Sequence, residues 1–248
     1  MSSDTPLSEG ERRIQDDALE FARKNKREIA AALTDRTIFL SEAKPVAVFM
    51  AGSPGAGKTE ASKELLTEIE AKEPKARILR IDPDELRCQF SSYSGANSYL
   101  FQPAISVLIA KILDLAHSQR QSFLLDGTLS NLKVARENVA RCLKNKRPVQ
   151  ILYVYQDPLL AWEFVQARER EEGRNIPTGR FIEQYFAARD VVNALKAEFA
   201  TDIMVDLLVK PNDSVERLYK AGIDRIDNHV KEKYDRAGLE AMLASATE

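Results

Sequence analysis

Residues 49–60 read FMAGSPGAGKTE, and no other stretch limits the choice of fold so tightly. Gly52, Ser53, Pro54, Gly55, Ala56, Gly57, Lys58 and Thr59 fill every required position of the pattern G-x-x-x-x-G-K-[ST]. Small residues let backbone N–H groups converge on phosphate oxygens, and the helix that follows adds the positive end of its dipole. Such a loop belongs between a strand and a helix. The apolar run PVAVFMAG precedes it and the helix-forming stretch TEASKELLTEIE follows. The eight loop residues and Glu60 are therefore expected to hold a nucleotide. Lys58 would reach its β- and γ-phosphates, and Thr59 would ligate Mg²⁺.

The pattern on either side suits that loop. Strands are expected over residues 45–52, 76–82, 122–127, 149–156 and 201–210, and helices near 57–72, 102–119, 131–145, 157–172 and 178–198. Near-continuous apolar strands alternating with helices indicate an α/β fold with a parallel sheet covered on both faces. Residues 1–44 have a different texture, with Ile14, Ala18, Phe21, Ala22, Ile29 and Ala32 near helical spacing. They form an N-terminal helical extension to a core over 45–210, and two further helices are expected over 211–248. At 248 residues no second domain is required.

Charge and composition exclude some classes. A net charge of −2 argues against a nucleic-acid binder, which needs a cluster of unpaired Lys and Arg. The two cysteines, Cys88 and Cys142, form no CxxC, and the N-terminal residues contain no apolar signal-like run. No run is read as reaching the ~20 apolar residues that span a bilayer, so no membrane partner and a cytoplasmic location are expected. His117 and His229 lack metal-ligand spacing, and Trp162 is assigned to packing.

Switches, hydrolases and transferases all use this loop. A GTP switch should carry N-K-x-D, but NKRE (25–28) and NKRP (145–148) do not fit. A motor-type ATPase usually places a Glu after its metal-binding Asp, whereas Asp126 is followed by Gly127. Asp126 itself ends an apolar strand and suits Mg²⁺, directly or through water, although Asp-Gly is also a common turn pair.

Transfer needs a carboxylate to orient and deprotonate an acceptor hydroxyl. RIDPDELR puts Asp82 and Asp84 beyond the carboxyl end of a strand, in the ligand crevice of open α/β sheets. The same acids also suit a plain helix start, with Asp82 as N-cap and Pro83 at N1. The functional reading is favoured because this segment would face the γ-phosphate and Arg87 follows one turn on. Arg168, Arg170, Arg174 and Arg180 cluster near a lid at 165–180. Arg170 fits a solvated helix face, while Arg174 lies just past the stop at Gly173, where a lid can bring it onto the transferring phosphoryl group.

The order of strand, GSPGAGKT, strand, IDPDELR, long helix, strand, LLDGT and EGRNIPTG resembles the zeta toxin family of P-loop kinases over roughly residues 45–185. The resemblance implies a five-stranded, mainly parallel sheet of order 2-3-1-4-5 in a three-layer kinase fold. It also implies phosphorylation, from ATP or GTP, of the 3′-hydroxyl of the sugar in UDP-N-acetylglucosamine or a related UDP-sugar, which blocks cell-wall synthesis. Asp84 would be the base and Asp82 its support. Asp126 stands where the best-known members carry Glu, and the lid arginines correspond to Arg168 and Arg174. Asp82, Arg87, Asp126 and Thr128 would meet the acceptor. Family partners are small helical antitoxins that block the nucleotide site, and residues 1–44 either act so in cis or simply pack on the core.

One departure stands out. Members that act on UDP-sugars carry an acid on the helix before the third strand, where this chain has Ala110 and Lys111. Kinases of another small metabolite (a nucleoside, a nucleotide or an antibiotic hydroxyl) and a non-catalytic, nucleotide-dependent interaction protein are the alternatives.

Overall fold

The computed structural model describes residues 7–73, 77–210 and 217–245. Its centre is a six-stranded sheet in the order β2-β3-β1-β4-β5-β6. These strands are β1 (Ala47–Ala51), β2 (Leu79–Ile81), β3 (Phe123–Leu125), β4 (Val149–Tyr155), β5 (Ile203–Val209) and β6 (Leu218–Lys220). The first five run parallel in the expected order.

The sixth strand is a correction. Two helices were expected after residue 210, but among the described residues Leu218–Lys220 instead pairs antiparallel with β5, and α8 (Arg236–Ser245) is the one α-helix there. Asp206 explains the turn back. This buried acid of β5 accepts from the Tyr219 hydroxyl at 2.6 Å and from the Gly222 N–H at 2.8 Å. Buried carboxylates need such partners, so the segment is held along the sheet edge.

Period-two alternation along β1 divides the core between the two faces. Ala47, Phe49 and Ala51 pack with the first, fourth, fifth and seventh helices. These are α1 (Glu9–Leu33), α4 (Gln102–Ser118), α5 (Leu132–Lys144) and α7 (Thr178–Phe199). Val48 and Met50 pack on the other face with Ala61, Leu65 and Leu66 of α2 (Lys58–Lys72). A third cluster joins α6 (Pro158–Glu172) and α7 to α8 through Trp162, Phe181, Tyr185, Leu239 and Leu243.

The N-terminal extension is one long helix. Ser8 caps α1 in a reciprocal capping box with Glu11. Buried Ala18, Ala22 and Ala30 let α1 lie closely on α4. The apolar face thus passes through Ala30, whereas Ala32 is exposed. Phe21 meets Phe90 edge-on at 5.4 Å, and the Tyr99 hydroxyl donates to Glu11.

Ser98–Ser118 is long and apolar enough to cross a membrane by length and composition, contrary to the reading that no run was. In the fold it is a core element. Ala104, Ile105, Leu108, Ile112, Leu113 and Ala116 are buried between the sheet and α1.

Candidate active site

The sheet ends in a cleft of about 610 Å³. The residues that directly follow β2, β3, β4 and β5, namely Asp82, Asp126, Gln156 and Lys210, all line it. This is the carboxyl-end crevice of an open parallel sheet, where strand order reverses around β1.

The loop after β1 forms the floor. Gly52 and Gly55 have φ of +135° and +73°, a region that side chains rarely adopt. Space is equally restrictive. A Cβ on Gly52 would stand 2.3 Å from the Val154 carbonyl oxygen, and one on Gly55 would stand 2.0 Å from that of Ala161. Pro54, Gly55, Ala56, Gly57, Lys58, Thr59 and Glu60 line the cleft, while Ser53 is buried beneath it and holds the Lys58 ammonium through its carbonyl at 2.6 Å. Burial brings the Lys58 pKa down to about 8. Asp126 and Asp84 pull it up, and Arg174 and Arg168 push it down.

Across the floor lies the acid pair. Asp82 caps α3 (Pro83–Leu86) by accepting the Asp84 N–H at 2.8 Å, so the helix-start reading holds together with the site reading. Asp84 projects into the cleft and accepts from Arg87 on its own segment and from Arg174 on the lid. Burial works to raise its carboxyl. Arg174 and Arg87 outweigh that, so Asp84 lies below the ordinary carboxylate value and is ionised at neutral pH. Burial instead raises Asp82, against the N–H that it accepts.

The lid follows from its helix signals. Asp157 caps α6, Pro158 occupies its first turn, and Gly173 stops it in the left-handed conformation. Arg168 and Arg174 both line the cleft, and Arg170 does not. The lid turn packs closely on the loop at Gly95, where a Cβ would meet the Glu172 carbonyl oxygen at 2.9 Å.

Arg80 is a site residue that the sequence reading missed. Its guanidinium donates to Asp82 at 2.5 Å, Asp126 at 2.7 Å and Glu85 at 2.7 Å, and only 12% of its side chain is exposed. Burial opposes that charge, yet the bonds to Asp126 and Glu85 raise its pKa. The Ser62 hydroxyl also donates to Asp126 at 2.8 Å. Arg80 and Ser62 both land on Oδ2 and fix that carboxylate at the cleft wall, leaving Oδ1 for other ligands. With the Thr59 hydroxyl this is an all-oxygen donor set, which suits Mg²⁺ shared with phosphates. Among the described residues, no group of three or more His, Cys, Asp or Glu could hold a metal by itself. Thr128 lines the cleft and shares a 2.9 Å hydrogen bond with Ser130.

Two absences are informative. Of α4, only Gln102 reaches the cleft, so neither Ala110 nor Lys111 does, and none of the cleft-lining residues comes from the described part of 1–44.

The parallel 2-3-1-4-5 sheet, the glycine loop with Lys58, and an ionised Asp84 facing it under a lid of arginines define a P-loop phosphotransferase of the kinase class, dependent on a nucleotide. A sequence profile of the zeta toxins matches residues 29–224, which is most of the chain. The chain belongs to the zeta toxin family.

No curated protein matches the chain in sequence. Among solved structures, a chain of the PezAT chromosomal toxin–antitoxin system of Streptococcus pneumoniae superposes with a TM-score of 0.61 at 17% identity, over 98% of this chain and 95% of that one. The AvrRxo1-ORF1:AvrRxo1-ORF2 structure with sulphate ions gives 0.60 at 16% identity, over 88% and 70%. The same pair with ATP gives 0.57 at 19% identity, over 94% and 72%. Likenesses at such identities establish the fold.

Proposed function

We propose that this zeta toxin family kinase transfers the γ-phosphoryl group of ATP or GTP to a hydroxyl of a UDP-activated amino sugar of the UDP-N-acetylglucosamine type, at the sugar 3′ position, in the cytoplasm. The observation that carries the reading is the shared cleft: the Asp84 carboxylate and the Lys58 ammonium line one cavity, and Arg174 spans from the lid to Asp84.

Phosphoryl transfer is mostly positioning and electrostatics. Asp84 orients the acceptor hydroxyl and takes its proton as the new O–P bond forms and the bond to the leaving diphosphate breaks. Lys58, Arg168 and Arg174 face the charge that spreads over the transferring oxygens. Asp82 and Arg80 hold Asp84's segment in place, and Arg87 and Thr128 stand on the acceptor side. Thr59 and Asp126 would hold Mg²⁺, which when bound neutralises phosphate charge. The structure reported for AvrRxo1 with ATP supports ATP as the donor. The PezAT toxin–antitoxin system supports an antitoxin as partner.

The test is direct. The protein is incubated with ATP, Mg²⁺ and a panel of acceptors, and phosphorus NMR reads any new phosphomonoester. A product on UDP-N-acetylglucosamine that vanishes with Lys58→Ala supports the proposal, and transfer to other acceptors alone rejects the UDP-sugar. One observation favours a second reading, a kinase of another small metabolite: α4 presents Gln102 and no acid to the cleft.

A further inference from the structure

Lys210 directly follows β5, and the reading of the sequence gave it no role. Its Nζ donates to the Gly57 carbonyl at 3.1 Å and stands 4.0 Å from the Glu60 carboxylate. Gly57 and Glu60 bracket Lys58 and Thr59, so this second ammonium lies against the first turn of α2. The approach is close. A Cβ at position 57 would come within 1.9 Å of Nζ. Lys210 also lines the cleft, with 17% of its side chain exposed.

Sheet order fixes which end of the cleft this is. β3 and β2, which carry Asp126 and the Asp82–Asp84 segment, lie on one side of β1, while β4 and then β5 lie on the other. Lys210 and the Asp84 segment therefore line the cleft from strands on opposite sides of β1. An ammonium has three donor hydrogens. The Gly57 carbonyl takes one, and the Glu60 carboxylate is beyond hydrogen-bond range, so the remaining donors serve the cleft.

We propose that Lys210 binds the nucleoside-proximal phosphate of the donor nucleotide. The inference rests on the kinase reading above: with the transferring phosphoryl at Asp84, a phosphate chain laid along the loop presents its other end to the β5 side. Lys58 then serves the terminal phosphates, and Lys210 serves the one joined to the ribose. The second lysine makes the site prefer a nucleotide over a bare polyphosphate of the same terminal chemistry.

Calorimetric titration in Mg²⁺ with a non-hydrolysable ATP analogue and with inorganic pyrophosphate tests this. Lys210→Gln removes the charge and keeps an N–H for the Gly57 carbonyl, and Lys210→Arg keeps the charge. Loss of a charge-assisted bond predicts that the glutamine variant binds the ATP analogue about tenfold more weakly. Its pyrophosphate affinity should be unchanged, and arginine should restore nucleotide affinity. Equal weakening of both ligands would mean that Lys210 only braces the loop, and unchanged nucleotide affinity would remove it from the site. Either result overturns the inference and leaves the kinase reading standing. A wild-type protein that binds neither ligand sinks both. If the glutamine variant does not fold, Lys210→Met is titrated with the same two ligands under the same criteria.

Discussion

Arg174 donates to Oδ2 of Asp84 across 90 residues of chain, joining the lid to the acid that faces the nucleotide loop. Arg87 takes the other oxygen, Oδ1, from below. A carboxylate with both oxygens on guanidinium groups is an anion at neutral pH and has its orientation set before any acceptor arrives.

Asp84→Asn keeps the size of that side chain and removes its charge. Phosphotransfer is expected to fall by about 100-fold or more, the usual worth of a positioned base, while nucleotide binding persists. Single-turnover assays beside calorimetry separate the two effects. Near-normal turnover would show that another group takes the proton.

The Lys58 pKa of about 8 predicts an alkaline limit. A lysine is cationic below its pKa and neutral above it, so nucleotide capture weakens as pH rises. In the free enzyme kcat/KM for the nucleotide should decline through about pH 8. No matching acid limb belongs to Asp84, because its pKa lies below the ordinary carboxylate value. Lys58→Arg, which holds its charge, should move the decline upward at whatever rate it retains. A profile still falling near 8 in that variant would assign the limit to a different group.

Arg80→Met leaves Asp82 and Asp126 buried without their shared cation. Breaking buried pairs from one side costs about 3–5 kcal/mol. Urea unfolding should show a lower midpoint with an unchanged slope. Adding Asp126→Asn should recover part of the loss, because one of the stranded charges is then gone. A single variant as stable as wild type would mean that solvent reaches these acids freely.

Gly52→Ala forces a Cβ to within 2.3 Å of the Val154 carbonyl oxygen at a φ of +135°. Strain of that kind costs about 1–3 kcal/mol before any steric clash is relieved. Thermal unfolding should drop, and nucleotide affinity with it, because the loop must lift off β4. Unaltered affinity would show that the loop's phosphate-holding shape tolerates the lift.

Much of this was legible in the sequence, for identifiable reasons. The loop was readable because its glycines, lysine and flanking strand and helix are all local. Asp82, Asp84 and Asp126 were readable because strand ends in a parallel sheet converge on one crevice. Arg80 was not. A charge in a three-residue edge strand looks like a solvated side chain until β2 is known to lie beside β3, where the Asp126 N–H bonds the Ile81 carbonyl at 2.9 Å and brings Asp126 to Arg80. Lys210 was missed although the same strand-end rule reaches it, since only the fold shows it bending back to Gly57. The sixth strand left no signal, because it is three residues long and Leu218 and Tyr219 on it are exposed, so no apolar alternation marks it. Ala30 and Ala32 are both plausible on a helical wheel, and only the contact with α4 decides between them.

The contact between Gly55 and the Ala161 carbonyl has a mechanical meaning. Ala161 lies in the first turn of the helix that carries Arg168, so the nucleotide cradle and the root of the arginine-bearing segment touch with no slack between them. A molecule seated in the cradle would press on the root of the lever whose far end holds Asp84. A bulky residue at position 55 would push the loop and the first turn of that helix apart while leaving every charged group of the cleft intact.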